Sequence, residues 1–166
     1  DEFSRQIVSF QANKTDVLHR WIKYREGFSS ALVDILIRKF DLKRGNAILD
    51  PFAGSCTTLL VAKMLGLDAV GIDILPHTRL AWEAKSRAFE YDVNELLYVK
   101  QLVISETPPP VSKRFPHLTI TESAFPDETE RDLLAYTCWF DSLTISLEAK
   151  DLCKFTLMSI LEKISY

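Results

Sequence analysis

The sequence predicts an α/β protein, a three-layer sandwich on a mainly parallel sheet with extra helices around it. Three observations carry this. A strand, a small-residue loop, a helix and a second strand follow one another between Ala47 and Asp73; each strand ends on an aspartate; and helical apolar periods flank the unit on both sides.

Taking the elements in order, apolar residues recur at three- and four-residue spacing from Val17 to Phe40 (Val17, Leu18, Trp21, then Ala31, Leu32, Ile35, Leu36), with a break near Gly27. That spacing predicts two helices joined by a turn, with Ser29 or Ser30 as N-cap of the second. Ala47-Ile48-Leu49 is a short buried strand running into Asp50-Pro51, and Thr58 to Leu65 is helical. Gly66 ends that helix, and Ala69 to Ile72 forms a second strand finishing at Asp73. Strands joined in this way are parallel. After Pro76 a helix places Leu80, Ala81, Ala84, Ala88 and Phe89 on its apolar side, and a further helix spans Leu96 to Ile104. Thr107-Pro108-Pro109-Pro110 ends it as a stiff extended linker, because proline lacks the amide donor a helix needs. Leu118-Thr119-Ile120 reads as a short strand, and Leu133 to Trp139 and Leu147 to Ile164 as helices. The organisation expected is a first part over 1–105, a proline-containing linker over 106–117 and a mainly helical continuation over 118–166.

With 166 residues, 47% of them hydrophobic, the chain can bury a core. No apolar run is long enough to span a membrane, and the first residues lack the pattern of a signal peptide. The three cysteines form no close pair, so neither a disulfide framework nor a zinc site is expected, and a reducing, cytoplasmic setting is. His19, His77 and His117 have no metal-ligand spacing. A formal net charge of -3 leaves no nucleic-acid footprint over the whole chain, so contact with DNA is expected to come from elsewhere. Residue 1 is Asp, and the last helical pattern stops without a cap; both ends read as cut.

The chemistry lies in Asp50-Pro51-Phe52-Ala53-Gly54-Ser55-Cys56-Thr57-Thr58 and in Gly71-Ile72-Asp73-Ile74. A glycine turn between strand and helix lets a ligand approach the backbone and presents free amides at the helix start. An acidic residue at the end of the next strand can accept hydrogen bonds from ribose hydroxyls. Only Gly54 of the three glycines of a dinucleotide loop is present. Asp50 adds negative charge where a pyrophosphate would lie but could pair with an ammonium, which favours S-adenosyl-L-methionine.

The loop resembles the Asp-Pro-Phe-x-Gly-Ser-Gly-Thr-Thr motif of bacterial DNA methyltransferases that modify the exocyclic amino group of adenine or cytosine, usually in restriction-modification systems. Lys23-Tyr24-Arg25-Glu26-Gly27-Phe28 is similar to the segment that precedes the motif there, Gly71-Ile72-Asp73-Ile74-Leu75-Pro76 to the one that follows it, and Cys138-Trp139-Phe140-Asp141 to a Trp-Phe-Asp element of some members. The resemblance implies a Rossmann-like methyltransferase fold, incomplete here, that binds S-adenosyl-L-methionine. It assigns Asp50, Gly54 and Thr57 to the methionine pocket and Asp73 to the ribose, with Lys23, Tyr24 and Phe28 covering the cofactor, and it counts Pro51, Phe52, Ala53, Ser55 and Ile74 among the cofactor-binding residues. DNA is the expected partner, through the remainder of the enzyme.

Two departures follow. Cys56 stands where the family has glycine, which costs roughly 1 kcal/mol if the position needs a positive φ. The methyl-transfer motif, Asp/Asn/Ser-Pro-Pro-Tyr/Phe, is absent; Thr107-Pro108-Pro109-Pro110 lacks both its polar side chain and its aromatic ring. No catalytic residue is therefore expected in this chain, and a missing C-terminal segment or second subunit would supply the motif. An inactive cofactor-binding or regulatory module, an RNA methyltransferase and a nicotinamide enzyme with a degenerate loop are the alternatives. Trp139 and Phe140 are expected in a core, not against a base.

Overall fold

In a computed structural model, which describes residues 3–117, 119, 121 and 123–165, the chain forms two compact units meeting at Ala88 and Phe89. The first holds α1 (Ser30–Lys39), β1 (Ala47–Asp50), α2 (Thr57–Leu65), β2 (Asp68–Gly71) and α3 (Pro76–Ser86); the second holds α4 (Val93–Ser105), α5 (Asp127–Ser142) and α6 (Leu147–Ile164).

The predicted strand, loop, helix and strand are present, and β1 and β2 pair in parallel with Ala47 opposite Asp68 and Asp50 opposite Gly71. Alternation along a strand sends Ile48 and Ala69 to one face, where they pack with Val33 and Ile37 of α1 and Val61 and Ala62 of α2. Leu49 and Val70 point the other way and stay 63% and 58% exposed. The expected three layers are thus reduced: among the described residues the sheet has two strands and one helix-covered face. Closing a third layer needs further strands and helices.

Ser29 caps α1, its hydroxyl accepting the Leu32 amide at 3.2 Å and donating to the Ile7 carbonyl. Asn13 holds the approach, donating to the Phe28 carbonyl at 2.8 Å and accepting the Ser30 amide at 3.0 Å. The expected helix from Val17 does not form. His19–Trp21 makes only one turn of 3-10 helix, and Leu18 before it, at φ 64°, lies outside the backbone range a right-handed helix needs. Gly66 ends α2 at φ 71°, as expected. On α3, Ala81 and Ala84 are buried against the unit, whereas Phe89 lies past the helix end and is exposed.

In the second unit Val99 of α4 packs with Trp139 and Phe140 of α5 and Cys153 of α6, so the helix that the sequence reading joined to 1–105 shares its core with the later helices. Trp139 and Phe140 stack with ring centroids 5.9 Å apart and are core residues. Ser146 caps α6, and Glu95 accepts its amide at 2.7 Å. Residues 106–117 carry neither helix nor strand. The short strand expected at Leu118 to Ile120 falls outside the described residues. Among the described residues no helix is long and apolar enough to cross a membrane.

Candidate cofactor site

The two strands end side by side, and everything that makes a site lies beyond those ends. The Ile72 amide donates to the Asp50 carbonyl at 2.8 Å and the Ala53 amide to the Ile72 carbonyl at 2.9 Å, which carries the pairing past the sheet and pins the loop against β2. The chain then turns through two left-handed residues, Gly54 at φ 48° and Cys56 at φ 64°. Gly54 is held to glycine on two counts, its φ and its neighbour. A Cβ built there would lie 2.7 Å from Cε1 of Tyr24, whose ring covers the loop.

Asp73 receives the Gly54 amide at 2.7 Å on Oδ2 and the Leu75 amide at 2.9 Å on Oδ1. These two amides hold its carboxyl below the usual carboxylate range. Each oxygen keeps lone pairs for further donors. Tyr24 also packs against His77 with ring centroids 5.6 Å apart, and burial, with Asp73 and Glu26 nearby, raises its phenol pKa. The structure therefore brings Tyr24, Gly54, Asp73 and His77 together from three separate stretches of chain.

Asp50 accepts the Phe52 amide on Oδ1 at 3.1 Å, while its Oδ2 is buried without a partner. Nε2 of His77 is likewise buried and unpaired. Buried polar atoms without partners cost about 1–3 kcal/mol each and are rare outside ligand sites. The helices that start here add their own donors, since neither α2 nor α3 has a side-chain cap. Beside Asp73 opens a cleft of about 350 Å³ whose walls include Ala53, Ile74, Arg79 and Trp82. On the other side of the loop Lys23, Tyr24 and Ser55 border a smaller cavity of about 180 Å³.

Residues 8–81 match the family profile described as DNA methylase. Over its whole length the chain is 51% identical to the Type II methyltransferase M.BsoBI of Geobacillus stearothermophilus, of which it covers 33%. Residues 8–81 belong to the DNA methylase family. The chain is also 36% identical to the Type II methyltransferase M.AvaI of Nostoc, again over its whole length and 35% of the relative. A 97-residue stretch, 58% of the chain, is 30% identical to 18% of M.MjaII of Methanocaldococcus jannaschii. The chain thus spans about a third of the length of the two relatives that it matches throughout. No solved structure matches it.

Within this DNA methylase segment the residues named from sequence part company. Ala53, Gly54, Ser55 and Thr57 are buried in the loop, with the Ser55 and Thr57 hydroxyls 3.3 Å apart. Pro51 is exposed, and Phe52 and Ile74 stand 84% and 94% exposed at its rim. Lys23 is exposed beside the smaller cavity. Phe28, grouped from sequence with Tyr24, packs instead against the Val33, Ile37 and Val61 core. His77, Thr78, Arg79, Trp82 and Lys85 were missed. They share one signal, a position on the helix that follows Asp73, but the apolar spacing of that helix picks out Leu80, Ala81 and Ala84 and passes over them.

Cys56 answers the question its sequence position raises. It does adopt the left-handed conformation, and its thiol is 1% exposed, donating to the Thr78 carbonyl at 3.4 Å. Burial pushes the thiol pKa up to about 11. Cys56→Gly is expected to leave stability within about 1 kcal/mol of the parent, since release of left-handed strain offsets the lost burial of the thiol. Cys56→Ala keeps the strain, loses the thiol and should be less stable than Cys56→Gly. Denaturant unfolding of both variants checks the order.

Proposed function

We propose that this chain forms the S-adenosyl-L-methionine-binding part of a DNA methyltransferase, which transfers a methyl group to an exocyclic amino nitrogen of adenine or cytosine. The observation that carries the reading is the buried, unpaired Oδ2 of Asp50 next to a glycine turn whose amide is tied to Asp73. A cationic donor such as the cofactor's ammonium is what that oxygen lacks. The residues fit the group: Asp50 would take the ammonium, the carboxylate of Asp73 the ribose diol, and Tyr24 and Lys23 would close the methionine end. The cleft beside Asp73, with Trp82 in its wall, would take the adenosine, and Ile74 would flank it. When bound, the cofactor supplies an electrophilic methyl group on a sulfonium.

On this reading the residues of this chain bind and orient the cofactor. The motif that accepts hydrogen bonds from the target amino group would come from outside these 166 residues, from the same polypeptide or a second subunit. DNA would be bound there too. The uncovered sheet face of Leu49 and Val70 is where the remaining layer of a three-layer methyltransferase fold would pack.

The test is calorimetric titration with S-adenosyl-L-methionine, with Asp73→Ala as control. Loss of charge-assisted hydrogen bonds worth about 1.5–3 kcal/mol should weaken binding roughly 10- to 150-fold. Equal binding by both proteins would remove Asp73 from the site; tight binding of a nicotinamide dinucleotide in place of S-adenosyl-L-methionine would overturn the cofactor assignment.

A further inference from the structure

Lys85 is the largest fully buried side chain in the structure, 1% exposed, and it lies under the loop just described. Its Nζ donates to the Ser55 carbonyl at 2.9 Å across thirty residues of sequence, and among the described residues no carboxylate pairs with it. Packing alone does not call for this. A lysine at such a place forfeits the hydration of its ammonium, and an apolar side chain of the same length would fill the volume without that cost. What lysine adds is one strong donor aimed at one carbonyl.

That carbonyl is well chosen. Ser55 sits between the two left-handed residues Gly54 and Cys56, where its C=O lies outside the helical bonding of α2, which begins at Thr57. Holding it fixes the peptide between Ser55 and Cys56. The orientation of that peptide sets where the Gly54 amide meets Asp73 and how the first turn of α2 faces the ligand. Lys85 reaches it from the last turn of α3, the helix that also carries His77 and Thr78.

We propose that Lys85 is a positioning residue of the cofactor loop, its buried side chain holding the Ser55 carbonyl and with it the binding conformation from Gly54 to Thr57. The proposal rests on the reading of this loop as an S-adenosyl-L-methionine site. It assigns Lys85 no contact with the cofactor.

The experiment compares the full natural polypeptide with its Lys85→Met and Lys85→Arg variants by thermal unfolding, amide hydrogen exchange and calorimetry with S-adenosyl-L-methionine. Lys85→Met is expected to unfold at the same or a higher temperature. Its Gly54, Cys56 and Leu60 amides, bonded to Asp73, Ala53 and Cys56, should exchange at least about tenfold faster, and its Kd should rise by at least about tenfold. Lys85→Arg should recover part of both effects. A folded Lys85→Met with unchanged exchange, or with faster exchange at an unchanged Kd, overturns the proposal. Should the unaltered protein bind no S-adenosyl-L-methionine, the cofactor reading has failed, and loop exchange alone decides the role of Lys85.

A failure of Lys85→Met to fold leaves a measurement on the unaltered protein. Burial lowers the Lys85 pKa to about 8, and the groups that face it, the Cys56 thiol at about 11 and His19 at about 4, titrate well away from it. Loop exchange should rise across pH 8 beyond its ordinary base-catalysed increase. A profile without that excess overturns the proposal.

Discussion

Gly54→Ala is expected to weaken S-adenosyl-L-methionine binding by a hundredfold or more while leaving the protein folded. Two costs coincide at this residue. Its φ of 48° is in the left-handed region, where a Cβ costs about 1–2 kcal/mol, and that Cβ would meet the Tyr24 ring at 2.7 Å. The clash cannot be relieved by the loop alone, because the neighbouring amides are already committed: Ala53 to Ile72, Gly54 to Asp73 and Cys56 to Ala53. Either Tyr24 leaves the loop, uncovering the methionine end, or the Gly54 bond to Asp73 breaks. A hundredfold change in Kd corresponds to about 2.7 kcal/mol, well within the sum of such a displacement and the lost charge-assisted bond. Calorimetry measures the loss, and the double variant Tyr24→Ala with Gly54→Ala should recover a part of it. Parental affinity in Gly54→Ala alone would show that the loop is not the binding element.

Acid should destabilise the first unit by about 3 kcal/mol through His19. Its ring is 4% exposed and its Nδ1 is buried without a partner, so protonation would place a second donor and a charge where no acceptor waits. Burial is the main reason its pKa falls to about 4 from 6.5; Asp16 works against the fall and Lys85 with it. The folded form thus binds the proton less well than the unfolded chain. Stability from this group is complete above about pH 6.5, declines as the pH falls towards 4 and is then lost; the gap between the two values is worth about 3 kcal/mol. Denaturant unfolding between pH 4 and 7 measures the slope. His19→Gln should flatten it, and an unchanged slope in that variant would assign the acid sensitivity to other groups.

The site shows what kind of information each level holds. A strand ending in aspartate, a glycine turn and a second parallel strand are local patterns, and each appears where the residues imply, down to Ser29 as a cap and Gly66 as a stop, although the second strand ends at Gly71, two residues before Asp73. The left-handed state of Cys56 could be posed as a question from sequence because a family pattern put glycine there. Local patterns misled where a long-range partner decided the outcome. Val17 to Trp21 has helical spacing yet forms one 3-10 turn, and α4 joins the core of α5 and α6. Tyr24 and Phe28 are one helical turn apart in sequence, yet one ring reaches the loop and the other the α1 and α2 core.

By itself, then, the sequence determined the parallel strand pair, the glycine loop and the acidic strand ends, because periodicity, turn chemistry and a nine-residue motif act over short stretches of chain. Only the tertiary structure decided that Asp73 grips the Gly54 amide, that Asp50 keeps an unpaired buried oxygen and that Lys85 holds Ser55 from below. Those facts depend on α3 folding back against the loop. The burial of Asp50 and Lys85 and the two amides that grip Asp73 exist only once distant segments have come together.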